Sequence, residues 1–265
     1  MLKRRALKLT IQEMQKLHLE ILATFADVCE KNNIHYLLCG GNALGAVRHG
    51  GPIPWDYDVD VMVPENQIDV LCDCLRKALD PKFFVAYHRL KTGPKIHFPR
   101  IGLTGYDLTV FHIDIFRLVG FPDNAKEQAE IYRKAKALDI FIAIKLALKT
   151  RTAGKTALLY CLKLAFFWLP TEWLLKPFDA LCSRHPYEEA AYAGYLVGQW
   201  GIRNMFRRDL FDEYIMINYA GISMRIVKEY DVYLTRLYGD YTRLPPQKER
   251  NSFLNKTYVI NKRRS

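Results

Sequence analysis

Gly40-Gly-Asn-Ala-Leu-Gly-Ala-Val-Arg-His-Gly-Gly-Pro-Ile-Pro-Trp-Asp-Tyr-Asp-Val-Asp-Val61 decides the reading of this chain. A glycine pair follows the apolar run 34–39, and carboxylates then recur at every second residue, at Asp56, Asp58 and Asp60. Side chains two apart on a strand point to one face. Asp58 and Asp60 are therefore expected side by side. Adjacent carboxylates repel, and a chain keeps such a pair mainly to hold a cation. Hard carboxylate oxygens suit Mg²⁺ or Mn²⁺, with substrate phosphates completing the shell. The stretch points to a metal-dependent enzyme acting on a phosphate-bearing substrate.

The flanking sequence supports that geometry. Residues 34–39, Ile-His-Tyr-Leu-Leu-Cys, read as a buried strand. Asn42 is expected to cap a short helix running to Arg48 and His49, which Gly50-Gly51-Pro52 stops. A strand that ends in glycines at a helix N-terminus offers backbone N–H groups and a helix dipole to a phosphate. A third carboxylate lies in Val110-Phe-His-Ile-Asp-Ile-Phe116, where His112 and Asp114 share a face. An Asp inside such a run is costly to bury unless it is paired or binds metal. If this strand lies beside the Asp58/Asp60 strand, Asp58, Asp60 and Asp114 form a metal-binding, catalytic set.

These motifs carry a specific resemblance. Gly-Gly-x-x-Leu-Gly-Ala-Val-Arg-His, Ile-Pro-Trp-Asp-x-Asp-Val-Asp and His-Ile-Asp-Ile-Phe, with the later Tyr238-Gly-Asp-Tyr241 and Leu244-Pro-Pro246, are similar to the LicD family. The resemblance runs from about residue 10 to 250. It implies a nucleotidyltransferase-like fold and transfer of phosphocholine from a CDP-choline donor to a sugar hydroxyl. The implied acceptor is a bacterial surface polymer precursor, such as a lipid-linked teichoic acid precursor or another glycan. Fukutin and fukutin-related protein, which handle CDP-ribitol, share the core. Mg²⁺ (or Mn²⁺) is the implied cofactor, held by Asp58, Asp60 and Asp114, and Asp114 is the implied general base with His112 as its rival. Gly40, Gly41 and Asn42 are assigned to the diphosphate, and Arg48, His49 and Lys95 supply candidate cations and donors around it. Arg48 has the alternative of bracing a loop by pairing with an Asp, and Asp56 that of positioning Arg48 or sitting in the turn. Tyr238 and Asp240 join the substrate-binding set. A quaternary ammonium is best held by aromatic faces. Trp55 is the first candidate for that role, with Trp200, Tyr233, Tyr238 and Tyr241 behind it. The chain departs from the family pattern at Asn42 (usually Thr), Tyr57 (usually Asp) and Ala220, where Phe-Glu-Gly becomes Tyr219-Ala220-Gly221.

Other classes remain open on the residues. A glycosyltransferase also uses Asp-x-Asp, but the glycine-pair helix and the third Asp argue against it. A nucleotidyltransferase using a nucleoside triphosphate would share the metal site, and ribitol or glycerol phosphate would be alternative cargo. A non-enzymatic scaffold is disfavoured by three intact carboxylates.

Composition fits. The 265 residues, half of them apolar, suffice for a large core. The expected class is α+β: a mixed-sheet catalytic core over 1–122, then a mainly helical part over 123–265 that binds substrate and completes the fold. Thr10-x-x-Glu13 is a capping box opening a helix whose apolar positions recur through Val28. Further strands are expected near 83–90, 95–101 and 108–118, a helix near 65–79, a hairpin at Ala220-Gly221 and a last helix from Glu229 to Tyr238. The six cysteines lack zinc-site spacing and read as reduced thiols of a cytoplasmic protein. Lys3, Arg4 and Arg5 precede no apolar signal core, so export is not expected. The net charge of +11 favours polyanions or a membrane surface, without any specific nucleic-acid motif. Residues 157–169 are too short to span a bilayer. They read as a core helix or as an interfacial one at the inner face of the membrane.

Overall fold

The computed structural model describes residues 6–146, 169–248, 250 and 257–262. The 157–169 segment, apart from Leu169, and Cys161 lie outside the described residues. β1 (Leu7–Leu9) leads into α1 (Ile11–Lys31), whose first turn is closed by the expected capping box: Glu13 N–H donates to Thr10 Oγ1, and Thr10 N–H to Glu13 Oε2. Its apolar face buries Ile11, Met14, Ile21, Leu22 and Phe25. β2 (Leu37–Leu38) is shorter than the apolar run predicts and ends at the glycine pair. α2 (Gly40–His49) follows, with Cys39 as N-cap and Gly50 in the left-handed region at its C-terminus (φ 67°). The expected Asn42 cap is thus corrected: Asn42 sits inside the first turn.

β3 (Val59–Pro64) carries Asp60, and α3 (Ile68–Ala78) then crosses back over the sheet. β4 (Phe83–Ala86) and β5 (Arg100–Leu103) form an antiparallel pair. Both are shorter than expected because Pro94 and Pro99 cannot donate to a ladder, and residues 87–99 loop out instead. β6 (Ile113–Phe121) is buried along all nine residues, as befits a strand covered on both faces. His112 falls just before it rather than within it.

The main sheet has seven strands in the order β2-β3-β6-β5-β4, and β6 also pairs with β7 (Tyr192–Gly194), which pairs with β8 (Phe206–Arg207). β3 and β6 are parallel and the remaining pairs antiparallel, so this is the expected mixed sheet. The register sets Asp60 opposite Asp114, and Asp114 opposite Arg100. The later chain supplies α4 (Ala125–Leu146) and α5 (Glu172–Cys182), which pack together. α6 (Asp209–Asp212) precedes the hairpin β9 (Tyr214–Tyr219) and β10 (Ile222–Val227), which turns at Ala220-Gly221 as predicted. α7 (Tyr230–Tyr238) ends at Gly239, and β11 (Tyr258–Ile260) returns to pair with β1. The described cysteines are free thiols, with Cys29, Cys39, Cys72 and Cys182 buried. Among the described residues, no helix is long and apolar enough to cross a membrane.

Candidate active site

Asp60 of β3 and Asp58, just ahead of the strand, line a cleft of about 530 Å³. Gly41, Arg48, Trp55, Asp56, Tyr238 and Asp240 also line it. With Tyr241, nine of the residues singled out from sequence therefore meet in one place. Gln199, Arg243 and Leu244 are further lining residues.

The helix behind the acids is built to let them approach. A Cβ on Gly41 would lie 2.9 Å from Asp56 Oδ2, so only glycine leaves that carboxylate its place. Gly40 adopts φ 52°, and a Cβ there would come within 4.0 Å of Asp60 Oδ2. Its N–H, however, donates to Tyr233 Oη at 3.1 Å, so Gly40 shapes the cradle without offering that donor to a phosphate. Asn42 is buried and ties helix to strand: its Oδ1 accepts from Asp60 N–H at 2.6 Å and its amide donates to Tyr219 Oη at 3.0 Å. It sets the height of Asp60 rather than touching the cleft.

The acids are held at the cost of strong repulsion. Burial, together with the charges of Asp114, Asp58 and Asp56, drives the Asp60 carboxyl well above the usual range, with Arg100 giving partial relief. Asp56 is pushed up to about 8 by burial and by Asp58, with which it shares a hydrogen bond. A site this rich in close carboxylates fits a divalent cation. Among the described residues, no three His, Cys, Asp or Glu side chains close into a finished coordination shell.

Asp114 differs from expectation. It is 8% exposed, it stands behind Asp60 rather than lining the cleft, and both its oxygens are taken by Arg100, at 2.6 and 3.2 Å. Arg100 is the functional residue that sequence reasoning missed; its only signal is a basic residue on the strand that pairs with the Asp114 strand. His112 Nε2 lies 3.6 Å from Asp114 Oδ1, and burial holds the imidazole below its ordinary pKa. It too stands outside the cleft lining, as does His49, whose ring meets Trp55 edge-on at 5.5 Å. Lys95 is not among the residues that line the cleft; its ammonium donates to the carbonyls of His88 and Leu90 and fastens its own loop. Arg48 borders the cleft and donates to the carbonyls of Tyr241 and Arg243; among the described residues it makes no ion pair with the Asp that its bracing alternative supposed. Tyr57 points elsewhere and packs on Tyr258. Of the aromatic candidates, Trp55, Tyr238 and Tyr241 line the cleft, Trp200 meets Tyr238 edge-on at 4.8 Å, and Tyr233 is buried beneath Gly40.

Residues 33–140 match the family model described as LicD/FKTN/FKRP, nucleotidyltransferase domain. The chain is 28% identical over 269 residues to the lipopolysaccharide cholinephosphotransferase LicD of Haemophilus influenzae, covering 96% of this chain and 99% of that protein. It is 59% identical over 51 residues to the ribitol 5-phosphate transferase FKRP of Homo sapiens, covering 19% of this chain and 10% of that protein. Among solved structures, the antibiotic-resistance factor ANT(2'')-Ia matches with a TM-score of 0.28 and 14% identity, over 63% of this chain and 93% of that one. The segment that matches the LicD/FKTN/FKRP family model holds the glycine pair, Asp58 and Asp60, and the Asp114 strand.

Proposed function

We propose that the protein transfers phosphocholine from CDP-choline to a hydroxyl of a saccharide acceptor in a divalent-metal-dependent reaction. The observation that carries this reading is the meeting of Asp56, Asp58 and Asp60 in one cleft that Arg48, Arg243, Trp55, Tyr238 and Tyr241 also line. The names of the two similar transferases support transfer of a phosphorylated alcohol. The acceptor oxygen attacks the phosphorus that bears choline, the bond from that phosphorus to the bridging oxygen breaks, and CMP leaves with the electron pair. The hydroxyl proton passes to a carboxylate of the cleft. Mg²⁺, when bound, supplies charge neutralisation on the leaving phosphate. Asp58 and Asp60 are the residues that would hold it, and Arg100 keeps Asp114 in place behind them. Phosphoryl transfer depends chiefly on positioning and electrostatics, so few reactive groups are required. Trp55, Tyr238 and Tyr241 offer faces for the quaternary ammonium, each contributing ~0.5–2 kcal/mol. A bacterial surface polymer precursor such as teichoic acid is the proposed acceptor, and the cytoplasmic face of the membrane is where a lipid-linked form of it would be met.

Calorimetric titration of CDP-choline in Mg²⁺, into wild type and Asp58→Asn, tests the reading, with CDP-ribitol and CTP as comparators. Choline-selective binding that is lost in EDTA and in the variant is expected. Preference for CDP-ribitol would replace the cargo, and preference for CTP would replace the reaction class.

A further inference from the structure

A second cleft, of about 480 Å³, lies between α4 and the loop that follows β7. Its size falls within the ~300–1,000 Å³ of small-ligand sites. Arg133, Lys136 and Ile140 recur at helical spacing and form one wall; Gln199 and Ile202 stand on the other. The cleft is held open by a buried knot. Asn204 accepts from Tyr195 N–H at 2.9 Å and donates to Tyr195 O at 3.0 Å, and Tyr132 Oη of α4 lies 3.1 Å from Asn204 Oδ1. Gly194 permits this closure, since a Cβ there would lie 2.7 Å from Asn204 Oδ1.

Two features say what the cleft receives. Arg133 and Lys136 are exposed and make no ion pair among the described residues, while Asp139, the acid of this wall, faces His97 with 3.0 Å between Oδ1 and Nε2. The cleft thus presents two exposed cations, of which Arg133 also acts on Glu130, beside the apolar Ile140 and Ile202. That combination suits an anion carried on a ring with a non-polar face. Gln199 lines this cleft and the carboxylate cleft alike, and the neighbouring Trp200 abuts Tyr238. The two clefts thus share Gln199 as a lining residue.

We propose that this cleft is the acceptor subsite, holding the phosphate-bearing part of a saccharide while its attacking hydroxyl reaches past Gln199 toward the donor; the inference rests on the transferase reading above. Isoleucine-methyl NMR of the whole protein separates the two clefts, because Ile53 lines the donor side and Ile140 and Ile202 the other. N-acetylglucosamine 1-phosphate is expected to move the Ile140 and Ile202 methyls. Arg133→Gln with Lys136→Gln is expected to weaken that response about tenfold or more. The neutral sugar and inorganic phosphate are each expected to bind more weakly than the sugar phosphate. Equal response in the double variant, movement of Ile53 alone, or no movement of Ile140 and Ile202 would overturn the subsite. Inorganic phosphate matching the sugar phosphate would overturn its saccharide character. CDP-choline is titrated in parallel, and its failure to move Ile53 would count against the transferase reading alone.

Discussion

At the scale of single residues, the site depends on what glycine omits. Gly41 lies in α2, where alanine would ordinarily stabilise a helix by up to ~1 kcal/mol. Its missing Cβ is what gives Asp56 its position, with 2.9 Å between that point and Oδ2. Gly41→Ala is therefore expected to leave thermal stability unchanged or slightly raised, because only the tip of one side chain must turn. Nucleotide-donor binding is expected to fall by about tenfold, a loss of ~1.4 kcal/mol. Calorimetry and thermal melts on the same samples check this; wild-type binding in a stable variant would show that the place of Asp56 does not matter. The carboxylates were legible because alternation on a strand is a short-range rule. Arg100 was not, because its partner Asp114 is fourteen residues away and meets it only through the β5–β6 pairing. The fastening of Lys95 to two carbonyls of its own loop was equally invisible, since nothing in a lone lysine says which acceptors the backbone will present.

At the scale of elements, α2 and the β9–β10 hairpin form one unit behind the cleft. Ala220 N–H donates to Gly50 O at 2.7 Å, and a Cβ on Gly45 would lie 2.5 Å from Gly51 O, so the helix end, the glycine turn and the hairpin tip are in close contact. Ala220 holds φ 52° to make this turn. The left-handed region costs a non-glycine residue ~1–2 kcal/mol, of which the greater unfolded-state freedom of glycine would return ~0.4–1. Ala220→Gly is expected to stabilise the protein by a net ~0.5–1 kcal/mol and to raise Tm by about 1–3 °C. A lower Tm in calorimetric scans would mean that the Ala220 methyl contributes packing that outweighs its strain. The hairpin and the C-terminal stop of α2 could be seen in the sequence, since glycine punctuates locally. The N-terminus of α2 could not: Asn42 has the composition of a cap, but its side chain is drawn to Asp60 and Tyr219 across the fold, and Cys39 takes the capping position without a side-chain bond.

At the scale of the whole molecule, β6 joins two charge systems of opposite character. Its first residues present Asp114 beside the carboxylate cleft; three residues on, Arg117 is 3% exposed within a compensated network. Arg117 donates to Glu65 after β3, to the His97 carbonyl and to Asp179 of α5, at 2.5, 2.9 and 2.6 Å. A chain reader sees an Arg in an apolar strand and an Asp in a distant helix; only the packing of α5 against the sheet pairs them. β7, which extends the same sheet from residues far along the chain, was hidden for the same reason. Burial alone would raise the Asp179 carboxyl, but the hydrogen bond from His88 and the charge of Arg117 outweigh it and hold the group well below the usual range. The sign follows from linkage. Between the folded value and the ordinary ~3.9, the unfolded chain binds a proton that the native one does not, so stability rises with pH by up to ~1.4 kcal/mol per unit for one such group. The Asp179 contribution is thus complete above about pH 4 and is lost as pH falls through the folded value. Asp179→Asn is expected to be less stable at neutral pH, where Arg117 loses its anion, and to show a shallower decline of stability below pH ~4. Urea unfolding of both proteins across that acid range is the measurement. Parallel curves would mean that Asp179 keeps its proton affinity on folding and that Glu65 alone compensates the arginine.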